Sequence, residues 1–135
     1  MILLDTGDLI ALVEPRDELH ERAIRWTQTI HEPLVLTSEV AVETLNYFSA
    51  TGKRVASHDA LRRLRGVPNF EFAYVDQRLF DAGLNFHSER PDQNWSLTDC
   101  ISFVLMQERG IRQALAHDHH FEQAGFEALL RREPS

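Results

Sequence analysis

The chain has 135 residues, enough for one domain with a substantial core. Its hydrophobic share of 43% and charged share of 26% are ordinary for a globular protein and exclude a fibrous or disordered chain. The net charge of −7, from 14 basic and 21 acidic residues, argues against a broadly basic nucleic-acid surface. It leaves open a local one, because a cluster of acids that holds a divalent cation turns a repulsive pocket into a phosphate-binding one. No apolar run approaches the roughly 18 residues that span a bilayer. Met1–Leu4 meets Asp5 at once, unlike the basic-then-apolar start of a signal peptide. The single Cys100 allows no internal disulfide, so the expected location is the cytoplasm.

In chain order, Ile2–Leu4 reads as a short strand ending at Asp5, and Gly7–Val13 as a short helix closed before Pro15. Asp17 is expected to cap a helix that runs to about His31, with Glu18 and Glu21 in its first turn. Pro33 breaks that helix, and Leu34–Thr37 is a second strand. Ser38 is expected to cap a helix to about Ala50, ended by Gly52. Ser57–Arg65 is a further helix, stopped by Gly66 and Pro68. Phe70–Val75 is a third strand, and Asp76 caps a helix to about Ser88. After a polar loop at Pro91–Trp95, Ser96 opens a helix to Arg109, ended by Gly110. Gln113–Ala116 is a fourth strand, His120–Ala124 a helical turn and Phe126–Leu130 a last short strand. Strands alternating with helices predict one α/β domain over 1–135, a parallel sheet covered on both faces. In such sheets ligands sit beyond the carboxyl ends of the strands, near the topological switch point.

Four acids are expected to reach that edge. Asp5 follows an apolar strand and precedes a tight Thr6-Gly7 turn, which places it at the strand mouth; capping the next helix is the competing reading. Thr6 is expected to orient Asp5 through its hydroxyl. Asp8 reads as a first-turn helix acid, with a place on the rim of the site as the alternative. Glu39 and Glu43 share a helix face with Asn46, no Lys or Arg sits at helical spacing to pair with them, and most other positions are apolar. That polar line must face water or a metal. Asp99 lies three residues after Ser96, the spacing of a capping box, and a carboxylate has a second oxygen for another role. Asp118 follows the fourth strand among His117, His119 and His120. These histidines raise a zinc site. It is disfavoured, because no His-x-x-x-His pair and no second cysteine accompany them, and His117 and His119 read better as rim residues near phosphate. His20, His31, His58 and His87 read as helix-surface residues, and Cys100 as core. Arg54, Arg62, Arg63 and Arg65 group in one stretch and Arg131 and Arg132 in another, as solvated faces or as phosphate contacts. No phosphate-cradling loop and no nucleophile elbow occurs.

Taken together, the segments LLDTGDLIAL, TSEVAVETLN, WSLTDCISFVL and ALAHDHHFEQAGF resemble, in that order, the PIN-domain family, and within it the VapC-type toxins of bacterial toxin–antitoxin pairs. The resemblance runs from Ile2 to about Leu130. It implies a three-layer sandwich around a five-stranded parallel sheet. It places the family's acids on Asp5, Glu43, Asp99 and Asp118, which would hold Mg²⁺ or Mn²⁺ and cleave RNA phosphodiesters. Glu43, rather than Glu39, falls at the family's helix position. Thr6 and Thr98 match hydroxyl residues that flank the acids in relatives. The resemblance also implies a homodimer and an antitoxin that covers the site. Oxygen-only ligands suit such hard ions, which activate water and offset charge on a pentavalent phosphorus. Without the ion, at least one of the crowded carboxylates is expected to have a raised pKa. Two other readings remain: a phosphoryl-transfer domain with Asp5 as nucleophile, against which Asp5 and Asp8 lack D-x-D spacing, and a non-catalytic interaction module on the same fold.

Overall fold

The computed structural model describes residues 1–50 and 52–135. Five strands, β1 (Ile2–Leu4), β2 (Leu34–Thr37), β3 (Phe70–Ala73), β4 (Gln113–Leu115) and β5 (Glu127–Ala128), form one sheet in the order β3-β2-β1-β4-β5. Every pairing is parallel. The chain builds outward from β1 to β2 and β3, then returns to the other side of β1 with β4. The direction of winding therefore reverses between β1 and β4. A crevice opens there at the carboxyl ends of these two strands. The Asp5 N–H donates to Leu115 O at 3.2 Å and holds the two strand ends together.

The period-two alternation of the strands explains why both faces are covered. Ile2, Leu4 and Leu36 point into one apolar layer, shared with α1 (Thr6–Val13), α2 (His20–Thr29) and α3 (Ser38–Tyr47). Leu61 and Leu64 of α4 (Arg54–Arg65) pack against its edge. Leu3, Val35 and Ala114 point into the opposite layer, with α5 (Gln77–Glu89) and α6 (Leu97–Arg109). Helix α6 is buried without a break from Cys100 to Met106, because it lies between the sheet and α5. Gly83 permits that contact: a Cβ there would overlap the Ile101 side chain. Trp95, Phe103 and Phe121 stack edge to face below the short helix α7 (His119–Gln123) and fix where it leaves the sheet.

Several boundaries differ from the sequence reading. Asp17 does not cap α2, which starts at His20; its carboxylate instead closes a turn by accepting from Leu19 N–H at 2.8 Å. Helix α2 ends at Thr29 rather than His31. The cap of α3 is Thr37, whose hydroxyl accepts from Val40 N–H at 3.1 Å. The Ser38 hydroxyl instead accepts from Val75 N–H, tying the start of α3 to the segment just after β3. Helix α3 ends at Tyr47, and Phe48–Ala50 follow as a 3₁₀ turn. Helix α4 begins at Arg54, three residues earlier than expected. The expected last strand keeps only Glu127–Ala128; Leu129–Arg131 tighten into a 3₁₀ turn that buries both leucines. The Asp76 cap and the Ser96 capping box form as read, and Gly110 ends α6 at φ 66°.

Candidate active site

The crevice between β1 and β4 collects the four acids. Asp5 leaves β1 and is 9% exposed. Its carboxyl is pushed up from 3.8 to about 7, first by burial, then by the negative charges of Asp99, Glu43 and Asp118; the Thr6 backbone N–H opposes the rise. Those charges raising it are all acids, one on each of three other segments. The expected raised pKa is present, and loss of water is its largest single cause. Gly7 lies beside the carboxylate, a Cβ there standing in ordinary contact at 4.0 Å from Asp5 Oδ2.

Asp99 sits in the first turn of α6 and makes both of its described side-chain contacts through one oxygen. Its Oδ2 accepts from Ser96 N–H at 3.2 Å, and the Ser96 hydroxyl accepts from Asp99 N–H at 3.0 Å, the reciprocal bonds of a capping box. The same Oδ2 lies 3.1 Å from His120 Nδ1. Oδ1 makes no hydrogen bond to the described residues, so it is available to the crevice. Burial raises the Asp99 pKa, against the opposing hydrogen bonds from Ser96 and His120.

Asp118 caps α7, its Oδ1 accepting from His120 N–H at 3.1 Å. His120 is the site residue that the sequence reading missed. It is half-buried, and its Nδ1 lies 3.1 Å from Asp99 Oδ2 and 3.4 Å from Asp118 Oδ2, bridging the two acids. The signal was present in the pattern Asp118-His119-His120 before an apolar Phe121, where a helix start turns His120 inward. Asp118, His119 and His120 offer ligand atoms within 4.8 Å of one another, a grouping formed because α7 begins at His119.

Glu43 is exposed on α3 and acts on Asp5, whereas Glu39, one turn earlier, is not among the charges that do. Thr6 is buried, but its hydroxyl has no hydrogen-bond partner among the described residues, so the expected Thr6 hydroxyl bond to Asp5 is absent. Thr98 is half-buried and Asn46 exposed, neither with a side-chain hydrogen bond among the described residues. Asp8 lies in the first turn of α1, as read, but its side chain is turned inward. It is 0% exposed, neither oxygen has a hydrogen-bond partner among the described residues, and burial followed by the charge of Asp5 raises its pKa well above the ordinary value. His117 and His119 are exposed at the rim, as read, whereas His20 is half-buried with Nδ1 2.6 Å from Ala11 O.

Converging carboxylates that raise the pKa of Asp5 are a donor set suited to a hard divalent cation. A parallel sheet wound 3-2-1-4-5 with acids gathered at its β1/β4 mouth defines a nuclease-like α/β fold. The chain belongs to the PIN domain family, whose model matches residues 2–127. Two curated relatives, each named 23S rRNA-specific endonuclease VapC20, come from two strains of Mycobacterium tuberculosis. Each is 33% identical over 129 residues, covering 93% of this chain and 95% of the relative. The crystal structure of Mycobacterium tuberculosis VapC20, described as a Sarcin-Ricin loop cleaving toxin, superposes with a TM-score of 0.85. That superposition covers 93% of this chain and 96% of the other at 24% identity, and establishes the fold.

Proposed function

We propose that this chain is a metal-dependent endoribonuclease, the toxin of a type II toxin–antitoxin pair, with Asp5, Glu43, Asp99 and Asp118 holding Mg²⁺ or Mn²⁺. The observation that carries the reading is the meeting of these four acids at the β1/β4 mouth, where burial and mutual repulsion hold Asp5 near pH 7. The full-length likeness to relatives named as rRNA endonucleases supports the reaction class. When bound, the cation supplies Lewis-acid polarisation of the phosphoryl oxygen and an activated nucleophile at neutral pH. The chain supplies placement. Asp5 is fixed by the strand end and by the Thr6 N–H. Ser96 and His120 hold one oxygen of Asp99 and leave the other toward the crevice. His120 also braces Asp118, so α6 and α7 present their acids as one unit.

In this reading the chain works in the cytoplasm, pairs as a homodimer and is silenced by an antitoxin seated over the crevice; no described helix is long and apolar enough to cross a membrane. The test is cleavage of RNA by purified protein with and without Mg²⁺ or Mn²⁺. Cleavage is expected only with the ion, and is expected to vanish in Asp5→Asn and Asp99→Asn. Unchanged cleavage in both variants removes these acids from the mechanism.

A further inference from the structure

The acid crevice opens on one side into a groove of about 590 Å³. Asp118, one of the four acids, belongs to its lining with Gly7, two residues after Asp5, so the groove borders the acid cluster at Asp118. Tyr47 stands on one wall and Arg131 on another. Tyr47 lies four residues beyond Glu43 on α3, hence on the same helix face, about 6 Å further along the axis. It is 54% exposed, yet its ring is set edge-on against buried Phe48, with centroids 5.0 Å apart at 85°. A fixed aromatic ring is thus held in water beside a phosphodiester-cleaving site.

Arg131 is equally well placed. The backbone on each side of it is pinned to α2: Arg22 Nη1 donates to Leu130 O at 2.9 Å and Trp26 Nε1 donates to Arg132 O at 2.8 Å. Its Nη1 donates to His117 O at 2.9 Å and its Nε lies 3.1 Å from Glu122 Oε1. Nη2 makes no hydrogen bond to the described residues and remains a donor. His119 adds an exposed imidazole to the same wall. The groove acid Asp17 already accepts from Leu19 N–H.

We infer that this groove seats the nucleotide next to the bond being cut, its base stacked on Tyr47 and its phosphate against Arg131. The inference rests on the endoribonuclease reading of the acids. An aromatic face and a guanidinium across an open groove match the two parts of a nucleotide, a π-surface and an anion. Stacking tolerates any base, so the groove sets affinity and register, and a weak preference follows stacking strength. Tyr47 and Arg131 are binding residues, outside the acid cluster.

The experiment uses a labelled 12-mer single-stranded RNA with wild type, Tyr47→Ala, Tyr47→Phe and Arg131→Ala, each checked for folding by circular dichroism. Binding is read by anisotropy with Ca²⁺ in place of Mg²⁺, and cleavage with Mg²⁺. Tyr47→Ala is expected to weaken binding about tenfold and raise KM equally with kcat within about twofold, while Tyr47→Phe stays near wild type. Arg131→Ala is expected to lower the salt dependence of binding by about one counterion. An abasic nucleotide is then moved along the RNA. At one position it should cost wild type as much as Tyr47→Ala does, and cost Tyr47→Ala nothing more. Equal binding by the Ala and Phe variants, or abasic losses that add to Tyr47→Ala, overturns the groove. RNA binding without cleavage by wild type refutes the nuclease reading and leaves the groove to be judged on binding; no RNA binding refutes the groove.

Discussion

Neutralising Asp5 should stabilise the metal-free protein while removing its activity. The folded state raises the Asp5 pKa from 3.8 to about 7, so between these values the native protein binds a proton that the unfolded chain has released. Stability therefore falls as pH rises through this window, by up to ~1.36 kcal/mol per pH unit. Over the whole window the loss reaches about 4 kcal/mol, a ceiling that side-chain relaxation and water entry reduce. Asp5→Asn carries no such charge. Its advantage over wild type should be small near pH 4, grow through pH 5 and 6, and level off above pH 7. At the ceiling that is on the order of 10 °C in melting temperature. The assay is urea or thermal unfolding of both proteins in EDTA from pH 4 to 8, repeated with millimolar Mg²⁺. The ion should recover stability in wild type, by about 2.7 kcal/mol at a hundredfold excess over its Kd, and do little for Asp5→Asn. Parallel stability curves in EDTA, or an Asp5→Asn variant less stable than wild type at pH 8, would refute the electrostatic account of the site.

Asp8→Leu removes a buried carboxylate with no hydrogen bonds and should raise stability by about 1–3 kcal/mol at pH 7.5, read as a higher urea midpoint. The gain should shrink toward pH 4, where the raised pKa keeps Asp8 protonated in the native state. His120→Ala should lower metal affinity by about ten- to a hundredfold by calorimetry, because it frees both Asp99 and Asp118. Gly83→Ala should destabilise the protein by about 1–3 kcal/mol in urea, since the added methyl meets Ile101 across the α5–α6 contact.

The sequence showed the sheet and the edge on which the acids lie, because both follow from local pattern. Ile2–Leu4 and Leu34–Thr37 are apolar runs too short for helices, bounded by Asp5, Pro33 and a capping hydroxyl. Ser96 and Asp99 declared their bonds by spacing alone. What escaped needed tertiary knowledge. Whether Asp8 points outward or into the layer beneath α1 depends on how α1 lies on the sheet, and no window of sequence contains that. His120 was obscured because its partners are 21 residues away on α6 and two residues before it in the chain. The last strand was overextended because Leu129 and Leu130 look like strand residues, whereas a 3₁₀ turn buries both.

Asp5 and Asp8 together explain how an acidic protein can keep such a site. Two buried carboxyls three residues apart both have raised pKa values, and the charge of Asp5 is one of the causes that resist ionisation of Asp8. Asp8 has no hydrogen-bond partner among the described residues, so its charge is expected to appear only when pH is high or when a cation lowers the cost of ionisation. Binding of a divalent ion at Asp5 and release of protons should then be linked, and metal affinity should rise with pH more steeply in wild type than in Asp8→Asn. Calorimetry of Mg²⁺ binding at pH 6, 7 and 8 measures both slopes. Identical slopes would show that Asp8 is merely a buried acid tolerated by the fold, with no electrostatic link to the crevice.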